Sequence, residues 1–434
     1  YFSFIRYISG NMKIAILGSG GREHSIAFSI SQSKKVKKIY CIPGNAGTNE
    51  FCENVYIDIN KFEEIRKFLN KNNIDLVIVG PENPLVNGIV DYLEKFNIRT
   101  FGPSRNASQL EGSKIFTKNL CKQYNIPTAN FGVFENIKDS KIFLENSKHP
   151  IVIKADNLAA GKGVYICENL NESCLAVEEI FNGKFGDAKN VLIEEHLQGE
   201  EMSYFIISDG KTIKNFGTAQ DHKRVNEGEK GKNTGGMGAY SPSRLINQKL
   251  EEKIIEKIIK PTLRGLKDQK IKYKGFLYAG LMIVNNEPYL IEYNVRMGDP
   301  ECQTILPMLY TDLLEIIEST IDEKLENIKI EWIKKKSLCV VLCSNGYPDH
   351  YKKNIEIKNL NKINLDKNNY LFHAGTKKIS EKIVAIGGRV LNFTSLSENY
   401  SEARKNIHEN LKKLNWSNGF YRKDIGHKVI DKWE

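Results

Sequence analysis

Glu292, Asn294 and Arg296 alternate within Leu290-Ile291-Glu292-Tyr293-Asn294-Val295-Arg296. Alternate residues of a strand share a face, so this spacing aims a carboxylate, an amide oxygen and a guanidinium at one ligand. Two hard oxygen donors suit Mg2+ carrying phosphates. A guanidinium two residues on suits a transferring phosphoryl group, held by charge-assisted hydrogen bonds. The plainer reading is a solvent-facing polar edge. Against it stand the apolar Tyr289-Leu290-Ile291 and the apolar run Phe276 to Ile283, because a polar face on a mostly buried strand usually has a ligand.

A second group of candidates surrounds Lys154, which ends the apolar run Ile151-Val152-Ile153. The following segment, Asp156 to Val164, is made of small residues and includes Gly161, Lys162 and Gly163. It is not a Walker A loop, since Asp156 and Gly163 occupy the outer motif positions. Backbone N–H groups of such a loop can still close over a triphosphate, with Lys154 neutralising its α- and β-phosphates. The alternative is a lysine snorkelling from a strand end. Glu194-Glu195-His196-Leu197 ends another apolar strand, where free backbone groups can meet an adenine edge and an acidic side chain a few residues on can accept ribose hydroxyls.

Three loops near the start follow short apolar runs. They are Gly18-Ser19-Gly20-Gly21-Arg22-Glu23-His24, Pro43-Gly44-Asn45-Ala46-Gly47-Thr48 and Gly80-Pro81-Glu82-Asn83-Pro84-Leu85. The first opens a helix, whose N-terminal N–H groups favour a phosphate. A dinucleotide site fits poorly, because the third fingerprint glycine falls on Glu23 and the second strand ends in Pro43-Gly44-Asn45 with no acidic residue.

These candidates need elements to hold them. In the first hundred residues strand and helix alternate: Lys13 to Leu17, His24 to Ile30, Lys38 to Ile42, Phe62 to Leu69, Asp75 to Val79 and Val86 to Phe96. Such alternation implies an open parallel sheet covered by helices, whose strand-end loops converge on a ligand crevice. From about Gly112 to 330 come strands ending at Lys154 and at Glu195, a polar glycine-rich stretch from Asp221 to Gly238, and paired strands over Phe276 to Val284 and Pro288 to Val295. The remainder has an antiparallel pattern: Leu338 to Leu342, Tyr370 to His373 and Ile383 to Asn392, with an Asn- and Lys-rich surface excursion at 352 to 369. The expected division is an extension at 1–11, then domains 12–112, 113–330 and 331–434. Met12 is the expected functional start, and no further enzyme is expected after the third region.

Composition narrows the classes. At 434 residues several domains are expected. No apolar run reaches the about 18 residues of a membrane span. The charge of +10 comes largely from lysines on predicted helix faces such as Lys249 to Lys260, so solvation explains it and neither nucleic acid nor membrane is expected as a partner. The eight cysteines form no C-x-x-C pair; Cys339 and Cys343 lie in apolar runs, as reduced core residues of a cytoplasmic protein would.

The order of Gly112-Ser113-Lys114, Lys154 with its loop, Glu194-Glu195-His196-Leu197 and Glu292-Tyr293-Asn294 resembles the ATP-grasp superfamily. Within it the chain is similar to the phosphoribosylamine–glycine ligases from Met12 to near its end. The likeness extends through Gln109 to Lys114, Gln220 to Arg224, Asn233 to Pro242, Gly275 to Leu281 and Gly298 to Glu301. The resemblance implies an α/β and α+β multidomain fold: an N-terminal open parallel sheet, a central ATP-grasp domain and a small, mainly antiparallel C-terminal domain. It implies that Lys114, Lys154, Gly161, Lys162, Gly163, Glu194, Glu195, Leu197 and Glu201 hold ATP, and that Glu292 and Asn294 hold Mg2+ or Mn2+. Phosphoribosylamine would lie against Gly20, Gly21, Arg22, Glu23, His24, Gly44, Asn45, Ala46, Gly47, Pro81 and Glu82. Asp221, His222 and Lys223 would face glycine, with Arg296, Lys154 and Asp299 as the catalytic groups of a monomer that binds only small molecules. Asn157, Val295 and Met297 depart from the usual pattern; the last two are expected to point into the core. An ATP-grasp ligase or carboxylase acting on a different acceptor is the competing reading.

Overall fold

The computed structural model describes residues 10–156 and 163–430. Its N-terminal sheet is wholly parallel, in the order Glu53–Asn54, Val36–Pro43, Met12–Gly18, Leu76–Val79, Thr100–Phe101. The first strand therefore lies between the second and fourth, and the chain reverses its winding direction there. A crevice opens above the carboxyl ends of strands at such a reversal. The three predicted loops start at those ends: after Gly18, at Pro43 and after Val79. Ile14, Ala15, Ile16 and Leu17 are all fully buried, as a strand covered on both faces requires.

The helix predicted over Val86 to Phe96 is broken. Glu82–Val86 and Ile89–Glu94 are separate helices, because Gly88 adopts φ +87°, a left-handed conformation that ends one helix and starts the next. By contrast, Phe62–Asn72 is continuous, burying Ile65 and Leu69 one turn apart and closing at Asn73 in the left-handed region.

A four-stranded antiparallel sheet, ordered Phe131–Phe134, Val191–Glu195, Ile151–Ala155, Val164–Cys167, carries Lys154 and Glu194 on its two inner strands. The helices Ile137–Glu145 and Leu170–Phe181 are each capped by an asparagine side chain, Asn136 and Asn169. The larger sheet runs Glu287–Asn294, Lys274–Val284, Glu200–Asp209, Ile213–Asp221, Gly238–Ser241, Lys336–Ser344, Arg389–Ser397, Asn369–His373. It crosses residue 330, because Gly238–Ser241 pairs with Ser337 to Val340. The polar stretch before it holds a small hairpin, Arg224–Asn226 with Lys230–Asn233.

Ile383 to Asn392 is two strands, Lys382–Ala385 and Arg389–Ser397. The break falls at Gly387, where a Cβ would come within 2.8 Å of the Gly375 backbone. The excursion at 352–369 is anchored rather than loose: Ile357 and Ile363 are buried in the C-terminal core. Val295 and Met297 each expose 1% and join the two main apolar clusters. Among the described residues no helix is long and apolar enough to cross a membrane.

Candidate active site

Three charged groups line one continuous region. In the first, Glu194 bridges two lysines: its Oε2 lies 2.6 Å from Lys154 Nζ and its Oε1 2.6 Å from Lys118 Nζ. All three side chains are 5% exposed or less. Burial alone would raise the Glu194 carboxyl, but the two ammonium groups outweigh it and hold it below the usual range. Lys118 also donates to Thr128 Oγ1 at 2.5 Å. Lys114 starts the helix Lys114–Tyr124; burial lowers its affinity for a proton, and Glu292 opposes that. Lys114 and Lys118 are four apart on one helix and so face the same way. That spacing was the available signal for Lys118, which sequence reasoning missed.

Glu195 is turned outward and accepts from the Asn130 backbone N–H at 2.8 Å. Leu197 follows the strand end, half-buried. Gly163 is buried and its carbonyl accepts from Ala155 N–H at 2.9 Å, closing the base of the predicted phosphate loop. Gly161, Lys162 and Asn157 lie outside the described residues.

In the second group, Lys223 Nζ lies 2.6 Å from Glu201 Oε2. Burial pushes Asp221 up to about 7, with Lys223 opposing and Glu301 and Glu201 reinforcing the rise. Tyr278 donates to Glu301 Oε1 at 3.1 Å beneath them. Glu292 contributes to the field at both Lys223 and Lys114, so it stands between the first two groups. His222, between Asp221 and Lys223, turns the other way: it is fully buried, and its Nε2 accepts from the Gly426 N–H at 3.2 Å. The structure therefore does not bring His222 to the crevice.

The third group centres on Arg296, which sits two residues past the end of its strand. Its Nη2 is 2.6 Å from Glu111 Oε1 and its Nε 3.2 Å from Glu82 Oε2. Glu111 Oε2 also accepts from the Val295 N–H at 2.8 Å. Arg296, more than any other group, holds Glu82 down at about 2. Arg22 Nε lies 2.5 Å from Glu23 Oε1, while Gly20 N–H donates to Glu23 Oε2 at 2.7 Å. The folded-in Glu23 fills the space beside Gly18 and Gly80; a Cβ at Gly80 would come within 2.1 Å of it. Asp299 accepts from Arg22 N–H at 3.2 Å and from Gln303 Nε2 at 2.7 Å, and Arg389 Nη1 donates to its backbone oxygen at 2.6 Å. Two carboxylates thus already meet the helix N-terminus where a phosphate was expected. Gly44, Ala46 and Gly47 form the neighbouring turn, and Pro81 opens the helix that carries Glu82. Sequence reasoning assigned no role to Glu111, Glu301, Arg389 or His373, which come from distant segments.

His24 and His373 meet behind this turn, with ring centroids 5.8 Å apart. Burial pushes His373 down to about 4, and burial followed by the neighbouring imidazole pushes His24 well below its ordinary value. Both rings are therefore held neutral. The unfolded chain takes up protons below pH 6.5 that the folded chain refuses until about pH 4, so folding stability is complete above 6.5 and falls on acidification. Between those limits His373→Asn is expected to flatten the slope by about 1.4 kcal/mol per pH unit, measured by urea unfolding at each pH. An unchanged slope would show that His373 titrates normally.

Residues 12–111 match the N domain of phosphoribosylglycinamide synthetase, 112–302 its ATP-grasp (A) domain and 337–428 its C domain. The chain is 44% identical over 422 residues to the phosphoribosylamine–glycine ligase of Brucella melitensis, covering 97% of this chain and 99% of that protein. It is 45% identical over 418 residues to the ligase of that name from Caldanaerobacter subterraneus, covering 95% and 99%. The crystal structure of the Thermotoga maritima ligase superposes with a TM-score of 0.81 at 33% identity, covering 95% of this chain and all of that one. A biotin carboxylase domain from Hydrogenobacter thermophilus, at 14% identity and TM-score 0.73 over 94% and 91%, shares the fold.

Proposed function

The chain belongs to the phosphoribosylglycinamide synthetase family, and on that premise we propose how its side chains join glycine to 5-phosphoribosylamine, driven by ATP. The enzyme is an ATP-grasp ligase of purine biosynthesis. One observation carries the residue-level reading: Arg296, at the end of the ATP-grasp strand, is paired with Glu82 at the mouth of the N-terminal crevice. The phosphoryl-transfer side and the acceptor side thus meet at one guanidinium.

Glycine's carboxylate resists amines, because its charge repels a nucleophile and oxide leaves poorly. Transfer of the γ-phosphoryl group to a carboxylate oxygen gives glycyl phosphate and ADP. The amine of phosphoribosylamine then attacks the acyl carbon, inorganic phosphate departs, and the nitrogen loses a proton to give glycinamide ribonucleotide. Lys154 and Lys114 hold the nucleotide phosphates, and Arg296 balances charge on the group in transfer. Asp221 offers its carboxyl to the glycine ammonium, whose arrival would lower its raised proton affinity. Enclosure of the crevice keeps water from the acyl phosphate.

Glu292 and Asn294 fit a hard divalent cation such as Mg2+ or Mn2+: neither side chain has a protein partner among the described residues, and Glu292 faces the lysines that await phosphates. Such a cation, when bound, neutralises and orients the nucleotide phosphates. Glu292→Ala is expected to weaken ATP binding in Mg2+ by at least about tenfold, while binding in EDTA stays unchanged. An affinity in Mg2+ unchanged from wild type would remove Glu292 from the ligand set. We read the partners as small molecules only, and the enzyme as a cytoplasmic monomer.

The decisive experiment measures ADP release with ATP, Mg2+ and glycine, with and without phosphoribosylamine formed in situ from ribose 5-phosphate and ammonia. Release that requires both substrates, with glycinamide ribonucleotide identified by mass, supports the reading. Release that requires bicarbonate instead would move the enzyme to another acceptor.

A further inference from the structure

The C-terminal strand Asn369–His373 ends behind the turns of the N-terminal crevice, where its last residue is gripped on both sides. The His373 N–H donates to His24 Nδ1 at 2.8 Å, and the His373 carbonyl accepts from Asn45 Nδ2 at 2.8 Å. The same Asn45 amide donates to Ser19 O at 2.9 Å, while its Oδ1 accepts from Gly47 N–H at 2.9 Å and Thr48 N–H at 3.0 Å. A side-chain amide offers two donors and one oxygen with two lone pairs. Asn45 is therefore saturated and has nothing left for a ligand.

Behind the turn the packing is equally specific. A Cβ at Gly47 would come within 2.3 Å of His24 Cε1 and 2.7 Å of His373 Cδ2. Gly44 N–H donates to Gly18 O at 3.1 Å, joining the two turns along a second line. The His373 ring is fixed in turn by Thr376 Oγ1, 3.1 Å from its Nδ1. The turns after the first and second strands are thus held in register by a residue more than three hundred positions away.

We propose that His373 is a positioning residue for the phosphoribosylamine half-site: through Asn45 and His24 it sets the spacing between the Ser19–Gly20 and Gly44–Thr48 turns without touching the substrate. Because both imidazoles are neutral near pH 7, the wedge adds no charge beside an anionic ligand. This inference rests on the assignment of phosphoribosylamine to the N-terminal crevice.

The test uses the full-length enzyme and three variants. His373→Ala keeps the backbone bonds to His24 and Asn45 but removes the ring that packs behind Gly47 and is held by Thr376; it is expected to raise the KM for phosphoribosylamine by about tenfold or more, with the KM for ATP within about twofold. His373→Asn should restore most of the loss, because the asparagine amide atoms fall where Nδ1 and Cδ2 of histidine lie. Asn45→Leu removes both donors and both acceptor contacts at nearly the same volume without adding charge; it should reproduce the selective effect if His373→Ala fails to fold. The inference is overturned if both KM values rise together, if neither changes, or if His373→Asn is as impaired as His373→Ala. A wild-type enzyme that turns over without phosphoribosylamine would overturn the functional assignment first, and this inference with it.

Discussion

Arg296→Ala is expected to lower kcat by about 10²–10³-fold while the affinity for ATP shifts by less than about twofold. The separation follows from what Arg296 touches. Its partners, Glu82 and Glu111, come from the N-terminal part of the chain, whereas the Lys118–Glu194–Lys154 group makes its ion pairs without it. A change at position 296 should therefore reach the acceptor side and the group in transfer before it reaches the nucleotide. The same substitution strands two carboxylates, and Glu82 owes its low proton affinity chiefly to this guanidinium. Arg296→Lys separates the loss due to a disturbed crevice from the loss due to chemistry. Lysine keeps the charge but not the planar fork that meets two carboxylates and a phosphoryl group. The lysine variant should regain thermal stability and little of the rate. If ATP affinity fell as far as kcat, the role in phosphoryl transfer would be wrong.

Sequence patterns disclosed the parts of this site that are local. Three apolar runs end in glycine- or proline-containing turns, and a parallel sheet must bring such ends to one edge. The alternation of Glu292 and Asn294 was legible because a strand's side chains repeat every two residues. The same spacing predicts Arg296 as a third member of that series, yet the strand stops at Asn294 and the guanidinium is aimed by Glu82 and Glu111. The Glu111 contact joins residues 185 positions apart, and the His24–His373 contact joins residues 349 apart. No local periodicity encodes either, because both depend on the packing of separate sheets. Gly238–Ser241 was hidden for a related reason. A strand of four residues in a polar, glycine-rich stretch has too few side chains to show alternation, although it connects the central and C-terminal parts of one sheet.

The lysine pair at the nucleotide side makes the sharpest test of stability. Glu194→Gln leaves Lys118 and Lys154 buried with no counter-ion, and unfolding should become easier by about 3–5 kcal/mol, as when one partner of a buried ion pair is removed. A purely structural ion pair predicts that this loss is the same with or without ligand. A phosphate-binding pair predicts otherwise, since a nucleotide brings the negative charge that the variant lacks. In wild type the incoming phosphates must compete with Glu194 for Lys154; in the variant they meet an unpaired ammonium. Saturating ATP should thus raise the melting temperature more in Glu194→Gln than in wild type, against a wild-type gain of about 2.7 kcal/mol at one hundred times Kd. Lys154→Met in the same background should abolish the excess, because the remaining Lys118 is held at Thr128. Equal ATP stabilisation of wild type and Glu194→Gln would mean that the phosphates do not reach this pair, and the assignment of Lys154 to the triphosphate would fall.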